Sequence, residues 1–357
     1  MRAVFIALIA ILGTSYPALA QYNKDAGKSA PMKRVEESYR DSEGKLQKRV
    51  YDAKPDVDRW GNARTNEYDL AVDGAFDGQT VAVLHFYTGD GFDFELPKAA
   101  LREKGFSVYR WIDHPPSAAV LEAGLAKASQ LWIISGSSQQ LGPDHLAVIQ
   151  RFFDAGHGVY IWGDNDPYYG DANYVARALL NESYMEGYVQ GEQTIGLQRQ
   201  EGKAGVMANH LITTGIEKIY EGHTIATLHP HADLRPLMYG SADNLVTAYY
   251  DKAGKRAILD GGFTRLYMKW DTAGTARYVK NAASWLVNAE RFGDAVVAPA
   301  VRAKSVPSYA TTTSTMTVTT VPKAQAPAPW LPLGWIGLLL VGSIAGCYVL
   351  LLIPQRK

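Results

Sequence analysis

Acidic side chains are concentrated in two short segments, each of which directly follows an apolar run. The residues concerned are Asp90, Asp93 and Glu95 in the first segment and Asp164, Asp166 and Asp171 in the second. Carboxylate oxygens are good ligands for a hard cation such as Ca²⁺, but these six match no spacing template of a metal loop. The pattern therefore favours helix caps and solvated turns, and it predicts neither a metal nor another cofactor.

Histidine, serine and cysteine side chains could support catalysis, but none of them has the further ligands or catalytic residues that it would need. His229 and His231 could share a metal, but the sequence offers no identifiable third ligand. Ser135-Gly136-Ser137-Ser138 lacks both the G-x-S-x-G form and a placed His/Asp pair, so a hydrogen-bonding loop is the better interpretation. The single cysteine, Cys347, lies in an apolar C-terminal run, which leaves the rest of the chain without a thiol nucleophile.

Aromatic side chains are frequent around the same two segments. They are Phe86, Tyr87, Phe92 and Phe94 near the first, and Tyr160, Trp162, Tyr168, Tyr169 and Tyr174 near the second. Aromatic faces beside carboxylates and amides suit a sugar or peptide ligand. An equally good alternative is that half of these rings are core residues of strands.

Continuous apolar runs alternate with helical patterns along residues 79–291, and this alternation predicts an α/β domain. The predicted strands are Val81–Phe86, Phe106–Trp111, Leu131–Ser135, Gly158–Trp162, Thr224–Leu228, Val246–Tyr250 and Arg256–Leu259. The predicted helices are Leu96–Lys104, Ala118–Ala126, Pro143–Ala155, Ala172–Leu180 and Ala273–Ala289. Strands that are apolar throughout are buried on both faces, so we expect a mostly parallel sheet with helices on both sides.

Ligands of open parallel sheets bind outside the carboxyl ends of the strands. The two acidic segments lie at such ends, and a third predicted strand end carries an aspartate and an arginine. The predicted ligand-binding residues are Asp90, Asp93, Asp164, Asn165, Asp166, Tyr168, Asp260 and Arg265. We expect residues 164–166 to form the centre of the site and residues 90–95 to form its wall.

Two segments carry a resemblance to a known family. Trp162-Gly163-Asp164-Asn165-Asp166 leads from a predicted strand into a helix through a tight turn, and Leu259-Asp260-Gly261-Gly262 closes the last strand before the final helix. Residues 79–288 thereby resemble the class I glutamine-amidotransferase-like superfamily, whose fold is a flavodoxin-like α/β sandwich. The resemblance implies that the turn at Gly163 presents a side chain at the edge of the sheet.

The chain departs from that family at each catalytic position. Working members place a cysteine in a G-x-C-x-G turn, and Asn165 occupies the matching position here. Leu228-His229-Pro230-His231 is similar to the family's His-Pro-Glu, but it precedes the last strands and its third residue is histidine. Asp260 stands where the family has its histidine. The resemblance therefore implies a retained scaffold without amidotransferase chemistry.

The two ends of the chain carry the signals of an exported, anchored protein. Residues 1–20 have the pattern of a secretory signal, and residues 330–353 form an uncharged run long enough to span a bilayer. The basic tail 354–357 favours the cytoplasmic side. Between them we expect a polar, partly disordered arm at 21–78 with a short hairpin at Tyr39–Tyr51, the α/β domain at 79–291, and a Pro/Ala/Thr-rich stalk at 292–329.

Composition narrows the range of partners. The chain has 36 Lys and Arg residues against 36 Asp and Glu residues, so nothing favours a nucleic-acid partner. We expect a single-pass membrane protein whose soluble domain, on the periplasmic or extracellular side, binds an envelope protein or a glycan or peptide ligand without catalysis. The alternative is a carboxylate- or metal-dependent hydrolase that acts on envelope glycan or peptide.

Overall fold

The computed structural model describes residues 21–28, 32–270 and 273–305 of the 357-residue chain. The strands, in chain order, are β1 (Lys33–Arg40), β2 (Leu46–Ala53), β3 (Thr80–His85), β4 (Ser107–Ile112), β5 (Gln130–Ile134), β6 (Gly158–Trp162), β7 (Tyr184–Gln190), β8 (Thr194–Gly196), β9 (Gly205–Val206), β10 (Lys218–Tyr220), β11 (Thr224–His229), β12 (Arg235–Tyr239), β13 (Leu245–Lys252) and β14 (Lys255–Asp260). The helices are α1 (Glu95–Glu103), α2 (Ala118–Leu125), α3 (Pro143–Asp154), α4 (Gly170–Leu179), α5 (Thr275–Leu286), α6 (Ala289–Phe292) and α7 (Pro299–Ser305).

A mixed sheet of eight strands, in the order β4-β3-β5-β6-β14-β13-β12-β9, confirms the α/β class. The strands from β4 to β14 are parallel, whereas β13, β12 and β9 are antiparallel to their neighbours. The expectation of a mostly parallel sheet therefore describes the five strands from β4 to β14, but not the remaining three. The reason lies in the connection: Ala253 and Gly254, both with positive φ, join β13 to β14 in a two-residue turn, which can link only antiparallel strands.

Among the parallel strands the spatial order is second, first, third, fourth, fifth in chain sequence. The order reverses at β3, which lies between β4 and β5. Connections leave a sheet in opposite directions on the two sides of such a reversal, and this opens a crevice at the carboxyl ends of the strands. The fold thus provides a place for a ligand at the edge where β3, β5 and β6 end.

The core consists of two apolar layers, one on each face of the sheet. Side chains alternate between the faces along each strand, so Trp132, Tyr160 and Trp162 lie in the layer that α1 and α5 cover. Leu131, Ile133, Val159 and Ile161 lie in the layer under α2, α3 and α4. Both faces are therefore covered by helices, as the continuous apolar strands predicted.

The described part of the N-terminal segment packs against the domain, in contrast to the expectation of a partly disordered arm. Leu70, Ala71, Ala75 and Phe76 belong to the layer that α1 and α5 cover. Asp69 is fully buried and forms ion pairs of 2.8 Å with Lys104, Arg277 and Lys280. Burial would raise the pKa of Asp69, but Lys280, Lys104 and Arg277 hold it below its usual value. These contacts join residues that are distant in the chain, so the local sequence pattern did not predict them.

The predicted hairpin in this segment is confirmed. β1 and β2 pair from Lys33 with Ala53 to Arg40 with Leu46, and they form a two-stranded sheet of their own. Two further antiparallel strand pairs lie outside the main sheet, β7 with β11 and β8 with β10. β11 corresponds to the predicted strand Thr224–Leu228. It pairs with β7 and is not part of the central sheet.

The predicted stalk begins with residues that still belong to the domain. Val296, Val297, Ala298 and Val301 are buried in the layer that α1 and α5 cover. No helix within the described ranges is both long and apolar enough to span a membrane. The predicted signal at 1–20, the remainder of the stalk, the membrane helix at 330–353 and the basic tail at 354–357 lie outside the described residues.

Candidate ligand site at the carboxyl edge of the sheet

The loop between β6 and α4 holds the residues that the sequence placed at the centre of the site. β6 ends at Trp162 and α4 begins at Gly170, so residues 163–169 separate them. None of these residues has a positive φ, and the loop closes on itself through Asp164 N–H to Tyr168 O (3.0 Å) and Tyr168 N–H to Asn165 O (2.8 Å). The tight strand–turn–helix elbow expected here is therefore absent, and a wider loop replaces it.

Asp164 is the buried carboxyl group of this loop, with 4% of its surface exposed. The hydroxyl of Thr224 lies 3.1 Å from each of its carboxyl oxygens. Burial raises the pKa of Asp164 to about 8, although hydrogen bonds from the Asn165 backbone and Thr224 act in the opposite direction. The group therefore keeps its proton at neutral pH and can act as a hydrogen-bond donor as well as an acceptor.

Thr224 is held in place by the end of the last parallel strand. The hydroxyl of Thr264, in the turn that follows β14, donates to the Thr224 carbonyl at 3.2 Å. The same hydroxyl accepts the backbone N–H of His223 at 2.8 Å. The β7–β11 strand pair is thereby fixed beside the loop that carries Asp164.

A cluster of aromatic rings lies at the same edge, where β3, β6 and β14 end; we call it the tyrosine cluster. Its members are Tyr87, Phe92, Tyr168, Phe263 and Tyr267. Tyr87 is the central ring, with centroids 5.4 Å from Tyr168, 5.0 Å from Phe263 and 6.1 Å from Tyr267. Most of these pairs are edge-to-face or tilted, the arrangement that aromatic quadrupoles prefer.

A chain of hydrogen bonds runs through the phenols of this cluster. Tyr267 donates to the hydroxyl of Tyr87 at 3.2 Å, and Tyr87 donates to Asp90 at 2.8 Å. Burial raises the pKa of Tyr87, and its bonds to Tyr267 and Asp90 raise it further. Burial also raises the pKa of Tyr267, with Asp90 and Asp164 among the smaller causes, so the site contains neutral phenols beside two carboxyl groups.

Three predicted site residues therefore meet at this edge: Asp90, Asp164 and Tyr168. The arrangement offers aromatic faces together with donors and acceptors that are mostly uncharged at neutral pH. Such a surface can stack on a sugar ring or a peptide bond and exchange hydrogen bonds with hydroxyl or amide groups.

Asp260 and Arg265 lie beneath this surface instead of lining it. Both are fully buried, and Arg265 Nη1 lies 2.6 Å from Asp260 Oδ2. Tyr160 and Tyr278 donate to the same carboxylate oxygen at 3.0 Å, and the Gly262 N–H donates to the other at 2.9 Å. Neither residue therefore lines the surface where the sequence placed it, because their ion pair lies inside the core.

The side chains of the remaining predicted residues form hydrogen bonds within their own loops. Asp93 is exposed and accepts the Glu95 backbone N–H at 2.9 Å at the start of α1. Asn165 donates to the Asp166 carbonyl, and Asp166 accepts the Tyr169 hydroxyl at 2.9 Å. None of these three contacts joins the tyrosine cluster. Asp171 is also buried, and it accepts the N–H groups of Gln140 and Leu141 in the loop after β5.

The histidines do not assemble into a shared site. His229 pairs with Glu186 at 2.8 Å and stacks on Tyr184, whereas the His231 backbone bonds to Ser183. Within the described ranges, no group of three or more His, Cys, Asp or Glu side chains is placed to hold a metal.

Sequence reasoning missed two kinds of residue at this edge. Thr224 opens a strand outside the central sheet, so nothing local connects it to Asp164. Tyr267 and Phe263 follow the last strand, and only the position of β14 beside β6 brings them to Tyr87. The aromatic residues of the two acidic segments, which include Tyr87, Phe92 and Tyr168, were the sequence signal for the cluster.

Comparisons with known proteins leave the family of this chain open. No family model matches the sequence, and no curated protein matches it. One similar solved structure is the exo-β-1,4-mannosidase Op5Man5 from Opitutaceae bacterium strain TAV5, with 11% identity and a TM-score of 0.35 over 59% of this chain; the match spans 36% of the mannosidase. Another is a protein described as ThuA-like from Parabacteroides merdae ATCC 43184, with 8% identity and a TM-score of 0.36 over 59% of this chain and 90% of the other. Both scores are low, and the fold assignment rests on the strand order of this chain alone.

Proposed function

We propose that this chain is an exported, membrane-anchored binding protein that holds a hydroxyl-rich ligand, a glycan of the cell envelope, at the carboxyl edge of its sheet. One observation carries the proposal. Asp164, a buried carboxyl group that bonds to Tyr168 through its backbone, lies beside a cluster of tyrosines at the edge where ligands of such sheets bind, and burial raises its pKa to about 8.

The chemistry of the edge favours a glycan over a charged ligand. Sugar hydroxyls are both donors and acceptors, and they match neutral carboxyl and phenol groups that can also do both. The half-buried rings of Tyr87, Tyr168 and Tyr267 offer faces on which a pyranose can lie. Arg265, the cation that would have attracted an anion here, forms an ion pair with Asp260 in the core.

We further propose that the scaffold is amidotransferase-like. The parallel strands follow the 2-1-3-4-5 order of flavodoxin-like sheets, and the loop after β6 lies at the edge where that superfamily places its nucleophile. Asn165 stands in that loop and the chain's single cysteine is Cys347, so the binding role does not include thiol chemistry.

The binding role can be tested with the full chain in detergent and a panel of neutral hexasaccharides that includes β-1,4-linked glucose and N-acetylglucosamine. Calorimetry or a glycan array should detect at least one binder, and Tyr168→Ala should weaken that binding. Tyr188→Ala removes a ring that is 57% exposed on the β7 strand and serves as the matched control. Equal binding by both variants, or no binder in the panel, would contradict the proposal.

The alternative function, hydrolysis of a glycan, is favoured by the same proton on Asp164, because a carboxyl with a pKa of about 8 is suited to act as a general acid. Asp164→Asn separates the two functions. The amide keeps a donor and an acceptor, so a binding protein should retain its ligand. A hydrolase would lose the release of reducing sugar ends, and wild-type protein that releases none supports binding alone.

A further inference from the structure

A cavity lies between the N-terminal segment and the β8–β10 region, and it shares no residue with the tyrosine cluster. Its volume is about 880 Å³, which is the size of a small-ligand site. Residues of the 54–61 segment, among them Lys54 and Trp60, line one side, and residues of the 194–204 segment with Glu217 and Lys218 line the other; Asp56, Asp58 and Glu201 are not part of the lining. None of these residues was singled out by the sequence.

The charges around this cavity are predominantly positive. Lys54, Arg199, Lys203 and Lys218 line it, against the single carboxylate of Glu217. Lys203 is paired with Asp243 at 2.7 Å, but neither Lys54 nor Arg199 forms an ion pair with any residue that the structure describes. Glu217 offsets part of the charge of Lys54, and the residues that line the cavity keep an excess of positive charge.

An indole ring forms part of the wall. Lys218 Nζ lies 5.9 Å from the centroid of the Trp60 ring, and the Arg59 guanidinium lies 5.1 Å from it. The Trp60 Nε1 atom is buried, and no described residue accepts its hydrogen bond. The ring thus gives the cavity a flat aromatic wall, and its N–H is buried behind that wall.

The wall that carries Trp60 is held rigidly. The side-chain oxygen of Asn62 accepts the N–H groups of Glu217 and Lys218 at 2.8 and 3.0 Å, and its nitrogen donates to the Lys218 carbonyl. Asp58 accepts the N–H groups of Trp60 and Asn62. The two sides of the cavity are therefore joined before any ligand arrives, which lowers the entropic cost of binding.

From this arrangement we infer that the cavity binds an acidic saccharide, whose anionic groups meet Lys54 and Arg199 while a sugar ring lies against Trp60. Cations distributed along a cavity favour a ligand with several negative charges, and an indole face favours a sugar ring over a bare anion. The inference is independent of the proposed function, because the tyrosine cluster takes no part in it.

Calorimetry on the full chain with hexagalacturonate, cellohexaose and inorganic phosphate tests the inference. Hexagalacturonate should bind, and its affinity should fall severalfold between about 50 and about 200 mM salt. Cellohexaose, which has the same length but no charge, should bind at least about tenfold more weakly at this site. Phosphate should bind weakly, since it lacks the ring.

Paired variants identify the cavity as the site. The double substitution Lys54→Ala/Arg199→Ala should weaken hexagalacturonate binding by about tenfold or more. Arg102→Ala/Lys127→Ala removes the same charge from exposed positions outside the cavity and should change it less than about twofold. Trp60→Leu should weaken hexagalacturonate more than phosphate, and Tyr168→Ala should leave both unchanged.

The inference would be overturned if hexagalacturonate did not bind, or if the two double variants lost equal affinity for it. Equal losses of affinity for hexagalacturonate and phosphate in Trp60→Leu would also overturn it. Weaker binding of hexagalacturonate by Tyr168→Ala would place the acidic saccharide at the edge of the sheet and would reject the cavity as its site.

Discussion

Asp164 and Asp260 are both buried at the ends of neighbouring strands, yet their surroundings differ in the number of donors. Asp260 meets a guanidinium, two phenols and a backbone N–H. Asp164 has the Thr224 hydroxyl and one backbone N–H. Burial without a cation favours the neutral acid at Asp164, whereas the ion pair with Arg265 makes Asp260 a structural residue of the core.

Asp164→Asn should change the pH dependence of stability. The folded protein holds this proton up to about pH 8, whereas an unfolded aspartate releases it near the ordinary value of 3.8. Since the folded state binds more protons in this window, stability falls as pH rises, by about 1.4 kcal/mol per pH unit. The variant removes that slope, so it should be more stable than the wild type at neutral pH.

Urea unfolding at several pH values between about 5 and about 8 measures this difference. Asp166→Asn changes an exposed carboxyl group in the same loop and is the control. A difference between wild type and Asp164→Asn that stays constant with pH would show that Asp164 is ionised throughout.

Asp260→Ala should be strongly destabilising, because it leaves the fully buried Arg265 without its partner. A loss of about 3–5 kcal/mol is expected for breaking such a pair from one side. The double variant Asp260→Leu/Arg265→Met removes both charges and should recover part of that loss. Chemical denaturation measures the free energy of unfolding of the two variants. Equal losses of this free energy would mean that the ion pair does not account for the stability.

At the scale of elements, the N-terminal segment divides into two parts with different roles. The hairpin β1–β2 is a separate two-stranded sheet, and most of its side chains are exposed. The following residues contribute Leu70, Phe76 and the carboxylate of Asp69 to the core. At Gly215 a Cβ atom would lie 2.1 Å from the Tyr68 carbonyl, which shows how closely this part of the chain packs.

Removal of the two parts should therefore have different effects. Replacing residues 33–53 by a short Gly-Ser link should change the free energy of unfolding by less than about 1 kcal/mol, since the hairpin contacts little else. A chain that begins at residue 79 loses several fully buried apolar side chains, at about 1.5–3 kcal/mol each, and should not fold.

Circular dichroism and limited proteolysis of the two shortened chains check this prediction. The chain that begins at residue 79 could instead unfold cooperatively at the wild-type midpoint. That result would show that the domain starts at residue 79, as the sequence pattern indicates.

At the scale of the whole molecule, the proposed anchor and signal determine where the binding edge operates. Cleavage after Ala20 would leave Gln21 as the first residue. Gln21 is buried, its carbonyl accepts the Val72 N–H at 2.9 Å, and Tyr22 bridges to Ala71. The new N-terminus would thus start within the folded domain.

We expect the full chain to fractionate with membranes and a chain without residues 330–353 to be released as a soluble protein. Mass spectrometry of the exported protein should give Gln21 as its first residue. A full chain that remains in the soluble fraction, or one that retains Met1, would contradict the anchor or the signal respectively.

The sequence by itself determined the features that depend on neighbouring residues. Apolar runs and helical periods predicted the α/β class and most helices to within a few residues, and a turn sequence predicted the β1–β2 hairpin. The distribution of cysteine excluded thiol chemistry outside the C-terminal run. These properties are local, because they follow from the conformational preferences and side-chain spacing of a short segment.

Only the tertiary structure decided which strand ends meet and which charges are satisfied inside. Asp260, Arg265 and Asp164 all follow strands in the sequence, but a guanidinium reaches Asp260 and not Asp164. Thr224 and Tyr267 lie near Asp164 although β11 and the segment after β14 are distant from it in the chain. Burial and pairing depend on contacts between distant residues, so the pattern along the chain cannot distinguish a ligand-binding carboxyl group from one that supports the core.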